Sequence, residues 1–434
     1  MFKSYMEQYE LNELVDRLVF LAKLKQEHGA EAADAILADV REVLQKQLTA
    51  LAELSNDSRL ETKEPNSLEE IRKLRPDGPR RIALYLSDNE YREKLEGALL
   101  ARLAGCALGG NVEGMDVDAM ESFARDINNP FPPQDHWTEA VTPYRYHYIV
   151  NRGYDLTRDR MDGAPTDDDI AYTLLGLMLV EKHGPDFRSE DIAYMWDEYL
   201  PWIWKDVKTP LDRFLAGVPA AEAADNTPYV HCIGASTRCD PFGYMAPGAP
   251  EIAAEMSYKE SYMTHRRNGI YGSMFFGAAI AAAFTVDHPV EALEIGLTEI
   301  PQDCQFAQAI RWALSLGDSV KNYRDGRAAV DEHLGELNHW HVTNNACLTV
   351  FGLMIGGTDV TRVLGETMAM GMDNDCTAAT AGSIVGAIVG KNRIPPQWYR
   401  HFNGKIHSHM KGHRYFSIAD VVERFLQQSK RVLV

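Results

Sequence analysis

Small residues recur at every fourth position in two otherwise apolar stretches far apart in the chain: Gly97, Ala101 and Gly105 in the first, Gly382, Gly386 and Gly390 in the second. Residues four apart share one face of an α-helix, so each stretch presents a track almost bare of side chains. A bare track lets another backbone approach closely. Two such tracks are expected to mark the crowded centre of one helical bundle, and in a water-soluble chain this spacing serves packing rather than membrane dimerisation.

The rest of the chain agrees with a mainly α fold. Tyr91 to Gly110, Ala253 to Ala283 and Cys347 to Met370 read as helices, and few runs alternate with a period of two, so a substantial sheet is not indicated. Near the start, Leu11, Leu14, Leu18 and Leu21, then Ile36, Val40, Val43 and Leu51 after a break at Gly29, describe a helical hairpin. From Ser55 to Arg81 the chain turns polar, punctuated by Pro65, Pro76, Pro79 and the turn signal Asp77-Gly78, as in a linker or a loosely packed strap. The expected organisation is therefore a hairpin with linker over 1–81 and a larger domain over 82–434. Asn128 to Pro165 carries Trp137, Tyr144, Tyr146 and Tyr148 without a sustained period, which suits a pocket wall or lid.

Charge and motifs exclude several classes. Lys and Arg number 44 against 63 Asp and Glu, a net charge of −19, which disfavours nucleic acid or an anionic membrane as the main partner. The longest nearly apolar run, Met274 to Phe284, falls short of the roughly 20 residues a membrane span needs and fits a buried core helix. No secretory signal opens the chain and the 6 cysteines show no CxxC spacing, so they are read as reduced thiols in a cytoplasmic protein. HExxH, P-loop and GxGxxG patterns are absent. His339-Trp340-His341 lacks further soft ligands at metal spacing and reads as structural.

Chemistry concentrates in two acidic knots. Thr166-Asp167-Asp168-Asp169 opens an apolar helix that stops at Gly184-Pro185, with Thr166 the expected N-cap. Capping needs one or two such groups, whereas three adjacent carboxylates repel one another unless a cation or protonation relieves them. Asp373-Asn374-Asp375-Cys376-Thr377 stands likewise before the second glycine-striped helix. If both helix starts converge, Asp167, Asp168, Asp373 and Asp375 surround one or two hard divalent ions. Glu113 is a third candidate, on the loop that follows Gly109-Gly110-Asn111.

Together these segments resemble the ADP-ribosylglycohydrolase family over about Tyr91 to Trp398. The resemblance implies a compact orthogonal helical bundle, all-α, to which the hairpin is an N-terminal extension. It also implies a centre of two magnesium ions, manganese being the alternative, that binds a ribose diol beside a scissile glycosidic bond. Thr166, Asp167, Asp168, Asp373 and Asp375 would ligate metal, Glu113 would sit beside the substrate as general acid or base, and Asp168 and Asp373 would help position the attacking water. One position departs from the pattern: Cys376 stands where the family often uses a metal-binding threonine, and a thiol is a poor match for magnesium.

Between the knots, Arg238 to Tyr244 and Thr264 to Gly272 mix rings, guanidinium groups and turn glycines. That mixture suits a polar substrate with an aromatic or phosphate part, so Asn111, Arg238, Asp240, Phe242, Tyr244, His265, Asn268 and Tyr271 are the substrate-binding candidates. The expected activity is a magnesium-dependent glycosidase cutting an N- or O-bond to ribose, on ADP-ribosylated protein or an ADP-ribose-like compound. A small ribosyl or other N-glycoside as substrate, and a non-catalytic ADP-ribosyl-binding protein, are the alternatives. The hairpin is a candidate surface for homo-oligomerisation.

Overall fold

A computed structural model describes residues 9–55, 57–141, 144–148 and 156–433. The chain divides into two compact units, residues 1–62 with 333–338, and residues 63–332 with 339–434. In the first, helices Tyr9–Glu27 and Ala33–Ala52 form the expected hairpin, turning at Gly29 with φ +80. Val15, Leu18 and Ala22 on one helix and Ala33, Leu37 and Val40 on the other are the partly or fully buried stripe. Leu14, Leu21, Ile36, Val43 and Leu51 remain exposed on it.

The second unit begins earlier than the sequence suggested, and the polar stretch before residue 82 is not a loose strap from Lys63 onward. Glu64 is 1% exposed, accepting from the Gln305 amide at 2.8 Å, Asn268 Nδ2 at 3.0 Å and Arg267 Nε at 2.9 Å. Arg75 and Arg80 both reach the buried Glu299, at 2.5 and 2.9 Å. A buried carboxylate is tolerable only when paired and hydrogen-bonded; here the cations that pair Glu299 come from the segment that looked unstructured.

The bundle centre is the crossing of helices Asp88–Gly110 and Asn374–Val389. Ser87 and Glu90 close a capping box at the first helix start. The bare tracks face each other: a Cβ on Gly97 would lie 2.6 Å from the Gly386 carbonyl oxygen, and one on Gly105 or Gly382 would strike the Ala378 or Ala101 carbonyl. Helix Asn268–Ala283, which holds all of the long apolar run but its last residue, Phe284, is buried on every side. Helices Asp168–His183 and Val342–Gly356 complete the surroundings of the site. Strand structure among the described residues is a small antiparallel pair, Lys405–His407 with Tyr415–Ser417. No helix of the described residues is long and apolar enough to cross a membrane.

The aromatic stretch before the first acidic knot lies partly outside the described residues, at 142–143 and 149–155. Its Trp137 is no lid residue: it is fully buried and donates Nε1 to the Leu108 carbonyl at 2.9 Å.

Candidate metal centre

Two adjacent rows of helix Asp88–Gly110 divide the work of building the site. Gly97, Ala101, Gly105 and Gly109 face the second striped helix, and Gly109 comes so near the Asn374–Asp375 backbone that no side chain fits. One position on, Arg102, Cys106 and Gly110 turn toward helix Asp168–His183. Arg102 Nη2 donates to the Asp169 carbonyl at 3.2 Å, the Cys106 thiol lies within 4.8 Å of the Asp167 carboxylate, and a Cβ on Gly110 would lie 3.8 Å from Asp167 Oδ2.

The first acidic helix is capped by Asp167, whose Oδ1 accepts the Asp169 amide at 2.9 Å. Thr166 is neither the cap nor enclosed; it is exposed just before the helix. At the second helix start, Asp373 donates its amide to Asn345 Oδ1 at 3.2 Å, while Asn374 points into the core and donates to the Met368 carbonyl at 3.2 Å. Asp373 at the N-cap and Asp375 in the first turn instead bring their carboxylates together, away from Asn374.

The two starts converge. Ligand atoms of Cys106, Asp167 and Asp169 lie within 4.8 Å of one another, and those of Asp373, Asp375 and Cys376 do likewise. Asp375 of the second group lies near enough to Asp169 of the first for its charge to raise the Asp169 carboxyl. Each group contains one buried carboxylate oxygen without a hydrogen-bond partner among the described residues, Asp169 Oδ2 and Asp375 Oδ1. Buried polar atoms in folded proteins are almost always partnered, so these two mark a place where something else is accommodated. Oxygen donors suit a hard divalent cation, and the donor set fits one, with a thiol at each side.

Electrostatics gives the same reading. Burial, then the charges of Asp168, Asp169 and Asp375, push Asp167 well above the usual carboxylate range. Burial and the charges of Asp169 and Asp375 raise Asp168 to about 8. For Asp169, burial dominates and Asp375 adds to it, but the Arg102 cation opposes both and the carboxyl stops at about 6. Asp373 is also driven well up, by burial and by Asp375. Without a cation this cluster cannot be fully ionised near neutral pH.

Glu113 follows the first striped helix on the turn Asn111–Gly114, half-buried, with Asn111 itself buried. Two residues, Asn111 and Val112, separate Glu113 from Gly110, whose face borders Asp167.

The predicted substrate-binding residues between the knots are all buried and engaged with protein partners. Asp240 pairs with Arg102 at 2.9 Å, both fully enclosed. Arg238, 2% exposed, is held by Glu260 at 2.5 Å and Thr264 at 2.8 Å, with Tyr172 and Trp196 rings 5.3 Å from its guanidinium. Tyr244 bonds Ser383 at 2.6 Å, and His265 bonds Thr264 at 2.7 Å and the Cys232 carbonyl at 3.1 Å. Asn268 is committed to Glu64 and the Phe306 amide, and Tyr271 to the Pro65 carbonyl. Phe242 is buried against Phe187, ring centroids 5.5 Å apart. The rings, guanidiniums and turn glycines that resemble a ligand site are here an interior hydrogen-bond network. His341 is structural as expected, capping helix Val342–Gly356 by accepting the Thr343 amide.

Sequence reasoning overlooked Asp169 and Cys106 as members of the centre. A signal for both existed: Arg102, Cys106 and Gly110 form a row beside the glycine track, and a lone arginine in such a row calls for an internal acceptor.

The family model for ADP-ribosylglycohydrolase matches residues 87–431. A solved structure titled "ADP-ribosylglycohydrolase-related protein complex" is similar at 17% identity, covering 79% of this chain and 99% of that one with a TM-score of 0.54, which supports the fold alone. Among curated proteins no relative matches.

Proposed function

The chain belongs to the ADP-ribosylglycohydrolase family, and on that premise we propose that it is a metal-dependent hydrolase of an N- or O-glycosidic bond to ribose. Its substrate is an ADP-ribosylated protein or an ADP-ribose-like compound. The observation that carries this reading is the gathering of Asp167 and Asp169 with Asp373 and Asp375 from two distant helix starts, each group with an unpartnered buried oxygen.

Hydrolysis of a glycosidic bond passes through an oxocarbenium-like state, so a site must orient the sugar, assist the leaving group and deliver water. Asp167, Asp169, Asp373 and Asp375, with Asp168 at the edge, would hold the divalent ion, magnesium by family resemblance; bound, it would fix the ribose hydroxyls and acidify water. The protein's own groups supply the rest. Asn345 and Arg102 hold the backbones of Asp373 and Asp169 in place, so the acids meet the substrate already oriented. Glu113, on the adjoining turn, exchanges the proton as general acid or base.

The test is release of ADP-ribose or ribose from a panel of ADP-ribosylated protein, ADP-ribosyl compounds and nucleosides, with magnesium and with chelator. The reading expects turnover that chelator abolishes and that Asp375→Asn removes. Turnover that survives chelation sinks it.

A further inference from the structure

The acid cage is not made of oxygen alone. Cys106 Sγ belongs to one ligand group with Asp167 and Asp169, and Cys376 Sγ to the other with Asp373 and Asp375, all ligand atoms of each group lying within 4.8 Å. The thiols come from different helices, Asp88–Gly110 and Asn374–Val389, so one helix start does not account for both. The unpartnered, nearly buried oxygens of Asp169 and Asp375 fall one in each group, which independently points to a ligand in each.

From this donor set we propose that the centre takes a borderline divalent transition metal, of the iron, cobalt or zinc class, on mixed carboxylate and thiolate ligands. Cys106 is a ligand on one side and Cys376 on the other. The assignment rests on the metal-dependent reading above and deepens it. Magnesium demands hard oxygen ligands and sheds its water reluctantly, whereas thiolates select softer ions. A sulfur donor in each group therefore moves the preference away from magnesium. Each thiol releases its proton as the ion binds, so affinity rises with pH.

Cobalt(II) supplies a test that needs no substrate. The full-length protein, stripped with chelator, is titrated with cobalt, zinc and magnesium salts and followed by near-ultraviolet absorption and calorimetry. Expected is a thiolate-to-cobalt charge-transfer band that weakens in both Cys106→Ser and Cys376→Thr. Cys376→Thr should also lose at least tenfold in zinc affinity while keeping or gaining magnesium affinity. Absence of the band from the wild-type protein overturns the proposal, whether or not the variants fold; so does an unaltered band and unaltered affinities in folded variants. Ribosyl release measured on the same samples separates the two readings. Magnesium-driven turnover without the band rejects the thiolate ligands and leaves the glycohydrolase, and a strong band without ribosyl release under any ion does the reverse.

Discussion

Arg102 and Asp240 form an ion pair of 2.9 Å in which neither side chain touches solvent. The same guanidinium donates to Thr173 Oγ1 at 2.8 Å and to the carbonyls of Asp169 and Thr237 at 3.2 and 2.6 Å. One buried cation thus ties the striped helix to the first acidic helix and to the segment before Asp240. Breaking a buried pair by removing one partner leaves an uncompensated charge and costs about 3–5 kcal/mol. Arg102→Met should lose that much in urea unfolding; a loss below about 1 kcal/mol would show the pair to be dispensable.

The glycine tracks make a contrasting prediction. Gly105→Ala pushes a methyl into the Ala378 carbonyl, and overpacking of a tight core costs about 1–3 kcal/mol. Gly110→Ala meets its nearest atoms at 3.8 Å, ordinary contact. Thermal unfolding of the two variants should differ accordingly, the first well below wild type and the second near it.

Acidity of the centre without its ion has a definite sign. Asp168 and Asp169 are raised from 3.8 to about 8 and about 6. A carboxyl raised by folding contributes stability that is complete below its unfolded pKa and is lost as pH rises through the folded value. The chelated protein should therefore lose stability from about pH 4 to about pH 8, and a saturating divalent ion should flatten the decline. Calorimetric melting across this range checks it, and Asp168→Asn should remove the part nearest the alkaline end.

Glu113→Gln separates proton transfer from ion binding. General acid or base catalysis contributes about a hundred- to ten-thousand-fold, so kcat should fall by that order while calorimetric metal affinity stays put. An equal loss in affinity would make Glu113 a member of the cage instead.

Glu64→Gln probes the segment that looked like a linker. It removes the charge that pairs with Arg267 in a buried setting, and a drop of about 3 kcal/mol in stability is expected. A change within about 0.5 kcal/mol, the range of ordinary surface substitutions, would return the segment to the status of a loose strap.

Local periodicity alone determined that the chain is helical, that Gly97 to Gly105 and Gly382 to Gly390 pack in the interior, and that acids stand at two helix starts. These features depend on residues three or four apart, whose relation in a helix is set by its geometry. The tertiary structure alone decided which polar residues face a ligand. Arg238, Asp240 and Tyr271 have the chemistry of a binding site but find buried partners far along the chain, while Cys106, in an apolar stretch, meets Asp167. Whether a polar group binds a substrate or holds the core depends on what the fold sets within hydrogen-bonding reach, and that distance is unrelated to separation in sequence.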